Sequence, residues 1–153
     1  GAGNDTLYGG QGSDRIDISE GSNTVQYFVN TESTAFGFDV VTFAATAGAN
    51  KAPQTFTFGY NKPVTGMSVT AADSFGGPMT NSFVTALDDA YHAAFVATTH
   101  AALVVKFATQ GTWLVVDTGD GIIGANDYVI QLVGHVPEMH VMNGDVVFGA
   151  PPP

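Results

Sequence analysis

Residues 1–17, GAGNDTLYGGQGSDRID, contain two copies of a nine-residue unit. Asp5 and Asp14 are nine positions apart, and the glycines and aliphatic residues around them keep the same spacing. The second unit, residues 9–17, fits the nonapeptide G-G-x-G-x-D-x-U-x throughout, where U is an aliphatic residue. This pattern predicts a parallel β-roll, in which glycine-rich turns alternate with short strands.

The residue types of this unit are those that a calcium site needs. Glycine permits tight turns that direct backbone carbonyls at one point, and Asp14 adds a carboxylate there. Calcium takes roughly 6–8 oxygen ligands, so carbonyls and carboxylates suit it. Ile16 then points into the roll, where neighbouring turns must cover it. The candidate calcium ligands are Gly1, Gly3, Asp5, Gly10, Gly12, Asp14, Gly21 and Asn23.

A third, decayed unit follows at residues 18–26, ISEGSNTVQ. It keeps Gly21 and Val25, but Asn23 replaces the aspartate, so calcium should bind more weakly there. We expect this unit to form a terminal capping turn, with Asn23 on the same edge of the roll as Asp5. The alternative is a turn segment that is merely rich in Gly, Asn and Asp. Two units in register favour the calcium interpretation.

Residues 1–26 resemble the end of an RTX (repeats-in-toxin) array. The resemblance implies a calcium-loaded roll that folds outside the cell, and export by a type I secretion system that reads a C-terminal signal. Residues 83–134 resemble the domain that follows such arrays, with an aromatic-plus-LVV strand, a Gly/Asp loop and an aliphatic strand that ends in glycine. This implies that residues 27–153 cap the roll and carry the secretion signal, although the PPP ending departs from that family. Since residue 1 is not Met, we expect a piece of a longer protein.

The composition excludes several classes of function. Four Lys and Arg residues against 14 Asp and Glu give a net charge of −10, which repels nucleic acid and anionic lipid and favours cations. The absence of cysteine excludes disulfides and thiol catalysis. No apolar run approaches the roughly 20 residues that a membrane-spanning helix needs. A hydrophobic content of 44% is nevertheless enough for a packed core.

The remaining sequence predicts a mainly β fold. A mostly antiparallel β domain with one helix at about 82–98 should follow the roll, because aromatic residues recur every four positions from Phe83 to Phe95. Two hairpins are predicted, one with a tight turn at Gln110-Gly111 and one at Asn143-Gly144. The chain should therefore divide into a roll, residues 1–26, and a β-rich domain, residues 27–153.

Two other constellations could carry chemistry. The loop 117–127, DTGDGIIGAND, offers Asp117, Asp120 and Asp127 as a candidate second metal site, or as caps of a local turn. His135 and His140 are five residues apart, which on a strand places them on opposite faces and disfavours zinc. No G-x-S-x-G motif or phosphate-binding loop is present, so we expect no catalytic site.

These features predict a non-enzymatic, calcium-binding C-terminal region of a type I-secreted RTX protein, located outside the cell or on its surface. Its expected partners are Ca²⁺ and the secretion machinery. One alternative is a self-assembly or glycan-attachment module of a surface-layer protein or adhesin. Another is the tail of a secreted hydrolase or epimerase whose catalytic domain lies upstream.

Overall fold

The computed structural model describes residues 2–59, 64–76, 81–95 and 100–149. These residues form eleven strands and one helix, arranged as two sheets with the helix on the outside. In chain order the elements are β1 (Thr6–Leu7), β2 (Arg15–Asp17), β3 (Thr24–Tyr27), β4 (Asp39–Thr42), β5 (Gln54–Phe58), β6 (Gly66–Ala72), α1 (Asn81–Ala94), β7 (Ala101–Phe107), β8 (Gly111–Val116), β9 (Tyr128–Val133), β10 (Met139–Met142) and β11 (Asp145–Phe148).

The first five strands form a parallel β-roll, as the nonapeptides predict. β1, β3 and β5 lie side by side in one sheet, while β2 and β4 lie in the other, so the chain alternates between the two sheets. β1 and β3 pair with an offset of 18 residues, which is two nine-residue units. β2 and β4 pair with an offset of 25 residues, because a longer loop precedes β4. The roll therefore has one regular side and one interrupted side.

Both sheets continue from the roll into the later strands. The first has the order β1-β3-β5-β11-β10 and the second β2-β4-β9-β8-β7-β6. The later pairings are antiparallel except β4 with β9 and β6 with β7, which are parallel. This confirms a mainly β fold with mixed sheets. The division at residue 26 stays a prediction, and both sheets run across it without a break.

Hydrophobic residues fill two layers. Between the sheets, Val25 and Phe56 of one sheet and Val41 and Ile130 of the other are completely buried. A second layer lies between α1 and the outer face of the six-stranded sheet, where the aromatic stripe of the helix contacts the core around Trp113. α1 ends at Ala94, earlier than the predicted end at residue 98, and residues 96–98 lie outside the described residues.

The two predicted hairpins have different outcomes. Asn143 and Gly144 both have positive φ, 53° and 83°, and join β10 to β11 directly, which confirms that turn. The predicted tight turn at Gln110-Gly111 is wrong, because β7 ends at Phe107 and a three-residue loop precedes Gly111. Trp113 Nε1 donates a hydrogen bond of 2.8 Å to the Gln110 carbonyl and holds Gln110 in that loop. Glycine at a positive φ of 89° suits the end of a three-residue hairpin loop.

Candidate calcium site

On one edge of the roll, side-chain amides link three successive turns. The Asn23 side-chain oxygen accepts a hydrogen bond of 3.2 Å from the Asp5 N–H. The Gln54 side-chain oxygen accepts one of 3.1 Å from the Asn23 N–H, and the Asn23 amide donates to the Glu20 carbonyl at 2.7 Å. Asp5 and Asn23 thus lie on the same edge, as their spacing predicts. We call Asp5, Asn23 and Gln54 the amide edge.

The predicted glycine ligands lie in the turns that flank these strands. Gly10 and Gly12 have positive φ, 89° and 123°, in the turn between β1 and β2. Gly21 also has positive φ, 75°, and a Cβ there would overlap the Gly3 carbonyl, so glycine is required where the two turns meet. Gly1 lies outside the described residues.

On the opposite edge, Asp14 lies against Asp39 of the next turn. The Asp14 N–H donates a hydrogen bond of 2.8 Å to Asp39 Oδ1, and the adjacent residues Arg15 and Val40 are paired in register. Asp39 is completely buried. Within the part of the chain that the structure describes, Asp14 Oδ2 and Asp39 Oδ2 are both buried and have no hydrogen-bond partner. We call Asp14 and Asp39 the acidic edge.

Buried carboxylate oxygens without a partner are unfavourable unless a cation lies nearby. The turn around Asp14 also leaves room beside its free oxygen, because a Cβ at Gly9 would lie 2.9 Å from Asp14 Oδ2. Calcium is a hard cation that takes carboxylate and carbonyl oxygens, and both are present in this turn. The acidic edge therefore fits a calcium ion.

The electrostatics of the acidic edge point the same way. Burial raises the pKa of Asp39 to about 6, and the negative charges of Asp14 and Glu32 add to the effect, against hydrogen bonding from the Asp14 backbone that lowers it. Burial, followed by the charges of these acidic residues, also raises the pKa of Tyr27. The Tyr27 hydroxyl faces Asp39 without a hydrogen bond of ordinary geometry. A divalent cation would relieve this concentration of negative charge.

Glu32 fastens the loop between β3 and β4 to the turn before it. Its side chain is almost completely buried, and its two oxygens accept hydrogen bonds from the Tyr8 hydroxyl at 2.6 Å and from the Phe28 N–H at 2.7 Å. The Tyr8 and Phe28 rings also contact each other edge to face, with centroids 4.9 Å apart. This arrangement fixes the loop that leads to Asp39.

The sequence prediction missed Asp39 as a site residue, although a signal was present. Residues 37–41, GFDVV, repeat the G-x-D-x-U part of the nonapeptide, with Gly37, Asp39 and Val41 in the expected order. The repeat starts seven residues late relative to the regular offset, so a search in strict nine-residue steps passes over it.

The three aspartates of loop 117–127 lie together, as the second candidate site requires. One carboxylate oxygen from each of Asp117, Asp120 and Asp127 lies within 4.8 Å of the others. Asp117 accepts hydrogen bonds from the Gly121 and His100 N–H groups at 3.1 and 2.9 Å. Asp127 accepts from Thr118 and Gly124, each at 2.8 Å. These bonds agree with the alternative, a turn capped by aspartates, and metal binding at this loop stays a prediction.

Parallel strands that alternate between two sheets, with glycine turns and an acidic residue before a strand, define a metal-binding β-roll. The family model for the RTX calcium-binding nonapeptide repeat (4 copies) matches residues 1–25, so this stretch is an RTX repeat region. Repeats of this kind bind calcium, and the proteins that contain them are typically secreted. No curated protein matches the chain. Among the described helical residues, none form a helix that is long and apolar enough to cross a membrane.

Proposed function

We propose that this chain is a non-enzymatic, calcium-dependent folding unit of a secreted RTX protein, with one ion held at the acidic edge. The observation that carries this proposal is the pair of buried, unpartnered oxygens, Asp14 Oδ2 and Asp39 Oδ2. The match of residues 1–25 to the RTX repeat model supports the identity of the ion.

The mechanism is neutralisation of charge by the ion. Without calcium, Asp14, Asp39 and Glu32 repel one another at the point where β2 meets β4. Calcium removes that repulsion and supplies a partner for the free oxygens, so its binding free energy adds to the free energy of folding. Since β4 also pairs with β9, the stabilisation extends beyond the roll.

Export would use the same dependence. In the cytosol, where free calcium is scarce, the acidic edge would stay repulsive and the roll unfolded, as passage through a type I secretion system requires. The likeness of residues 83–134 to the domain that follows RTX arrays supports a secretion signal within residues 27–153. Export of the protein by a cell with a type I system, with and without residues 83–134, tests this part. Undiminished export of the shortened chain would exclude it.

Calcium titration tests the binding proposal. We expect calcium to raise the free energy of unfolding by about 2.7 kcal/mol when its concentration is a hundred times the dissociation constant. Magnesium should have a smaller effect, since it needs a more regular octahedral site. The measurement is thermal unfolding followed by near-ultraviolet circular dichroism, in calcium, magnesium or EDTA. Identical midpoints in calcium and EDTA would exclude the proposal.

A further inference from the structure

β6 is the last strand of the six-stranded sheet, beyond β7. Among the described residues it pairs only with β7, so one row of its backbone N–H and C=O groups faces away from the sheet. Such a row is a template for another strand. Natural proteins usually protect edges with charges, proline or short length.

β6 has none of these protections, whereas other edge strands do. Its sequence, GMSVTAA, contains seven residues with no charge and no proline. β2, at the opposite edge of the same sheet, is three residues long and places Arg15 and Asp17 at the surface. β1, an edge strand of the other sheet, has only two residues. Length, neutrality and exposure thus coincide at β6.

The exposed side chains of β6 are apolar and lie on the core-facing side of the sheet. Val69 is paired in register with Val104, which is 2% exposed and belongs to the core between the sheets. Val69 and Met67 are nevertheless 52% and 42% exposed. Val69 also lines a small cleft together with Val104 and Met139. The apolar face of the sheet therefore continues to its edge without being covered.

We propose that a second copy of this chain pairs with β6 in antiparallel orientation, about a two-fold axis at Val69. The strand is self-complementary in this arrangement, because Val69 faces its own counterpart and Met67 faces Ala71 of the second copy, a large residue against a small one. The uncovered apolar face would then continue into the second copy. No charged residue of β6 opposes the contact, although each chain carries a net charge of −10.

The position of the helix is compatible with this pairing. α1 contacts both β6 and β7 on the outer face of the sheet. Across a shared β6 edge the two helices would be separated by two strand spacings, which is about 10 Å. Packed helices lie about 8–10 Å apart, so the two copies of α1 would lie side by side rather than collide.

Sedimentation velocity over a concentration series tests the proposal. We expect a weak, reversible dimer of the kind that interfaces below about 1,200 Å² form, and more dimer at higher salt, because salt screens the repulsion between acidic chains. Val69→Lys and, separately, Met67→Lys should raise the dimer dissociation constant at least tenfold. Both residues are exposed, and circular dichroism verifies that the variants fold.

The matched control is Val29→Lys, at another exposed valine, 38% accessible, just after β3. It should leave the dimer unchanged. A wild-type protein that stays monomeric at the highest concentration overturns the proposal. So does a dimer that Val69→Lys and Met67→Lys leave intact, since another surface would then form it.

Discussion

Replacing Asp39 by asparagine is expected to change the stability of this protein in opposite directions with and without calcium. In calcium, Asp39→Asn removes a charged oxygen from the proposed site, so most of the stabilisation by calcium, about 2.7 kcal/mol at a hundredfold excess over the dissociation constant, should disappear. In EDTA, the substitution removes a buried charge that burial, Asp14 and Glu32 all disfavour. The unfolding midpoint should then equal or exceed that of the wild type, because the side-chain oxygen of the introduced asparagine can still accept the Asp14 N–H.

Two control variants make the measurement specific. Asp89→Asn changes an exposed aspartate on α1 by the same atoms and should leave both midpoints unchanged. Asp120→Asn removes the exposed carboxylate of the 117–127 loop, and a loss of calcium affinity in this variant would assign an ion to that loop. Our assignment of the acidic edge fails if Asp39→Asn responds to calcium as strongly as the wild type does.

The same carboxylate predicts a pH dependence in calcium-free buffer. Its pKa is raised to about 6 in the folded state, whereas an unfolded aspartate has a pKa of about 3.9. Between these values the folded state binds more protons than the unfolded state, so the contribution of Asp39 to stability decreases as the pH rises through this window. Urea unfolding at a series of pH values should show this decrease in the wild type. Asp39→Asn should show a flatter profile, and parallel profiles would contradict the expectation.

Gly134→Ala should destabilise the protein by about 3 kcal/mol, through steric overlap and backbone strain. Gly134 follows β9 with a φ of 91°, and a Cβ there would lie 2.6 Å from the Phe43 carbonyl oxygen and 3.0 Å from that of Ala44. Both oxygens belong to the backbone, which cannot move aside without disturbing β4. Because the Phe43 N–H donates to the Val133 carbonyl at this point, the variant should loosen the junction of the roll with the later strands.

Two other glycines separate the causes of that effect. Gly111→Ala has a similar φ of 89°, but its nearest atoms are ends of side chains, so we expect a loss of about 1 kcal/mol. Gly48→Ala has no atom within 4 Å and no positive φ, so it should be neutral or slightly stabilising. Chemical denaturation gives all three values. A Gly134→Ala protein as stable as Gly48→Ala would contradict the packing described for this junction.

The sequence predicted those features that depend on local patterns. Glycine and aspartate at nine-residue spacing predicted the roll, and the Asn143-Gly144 pair predicted its hairpin, because each pattern permits few backbone conformations. The helix was predicted from its aromatic stripe, but it ends at Ala94 rather than near residue 98. Helix ends depend on tertiary contacts that periodicity does not contain.

The site was only partly predictable for a related reason. Asp14 was found because its own unit is complete, whereas Asp39, its neighbour in space, lies 25 residues away after an irregular loop. The length of that loop removes Asp39 from the repeat in the sequence but not in the structure. The pairing of β4 with β9, across almost the whole chain, also has no sequence signature, because register between distant strands is set by packing.

The amide edge has a consequence for the order of assembly. Its side chains connect the turns through hydrogen bonds, with Asn23 accepting from Asp5 and Gln54 accepting from Asn23. These bonds need no ion, so β1, β3 and β5 can align before calcium arrives. The opposite edge then has only to close on an ion over a prealigned framework. We therefore expect the two sides of the roll to form in sequence, with the amides acting as a permanent template and calcium as the final lock.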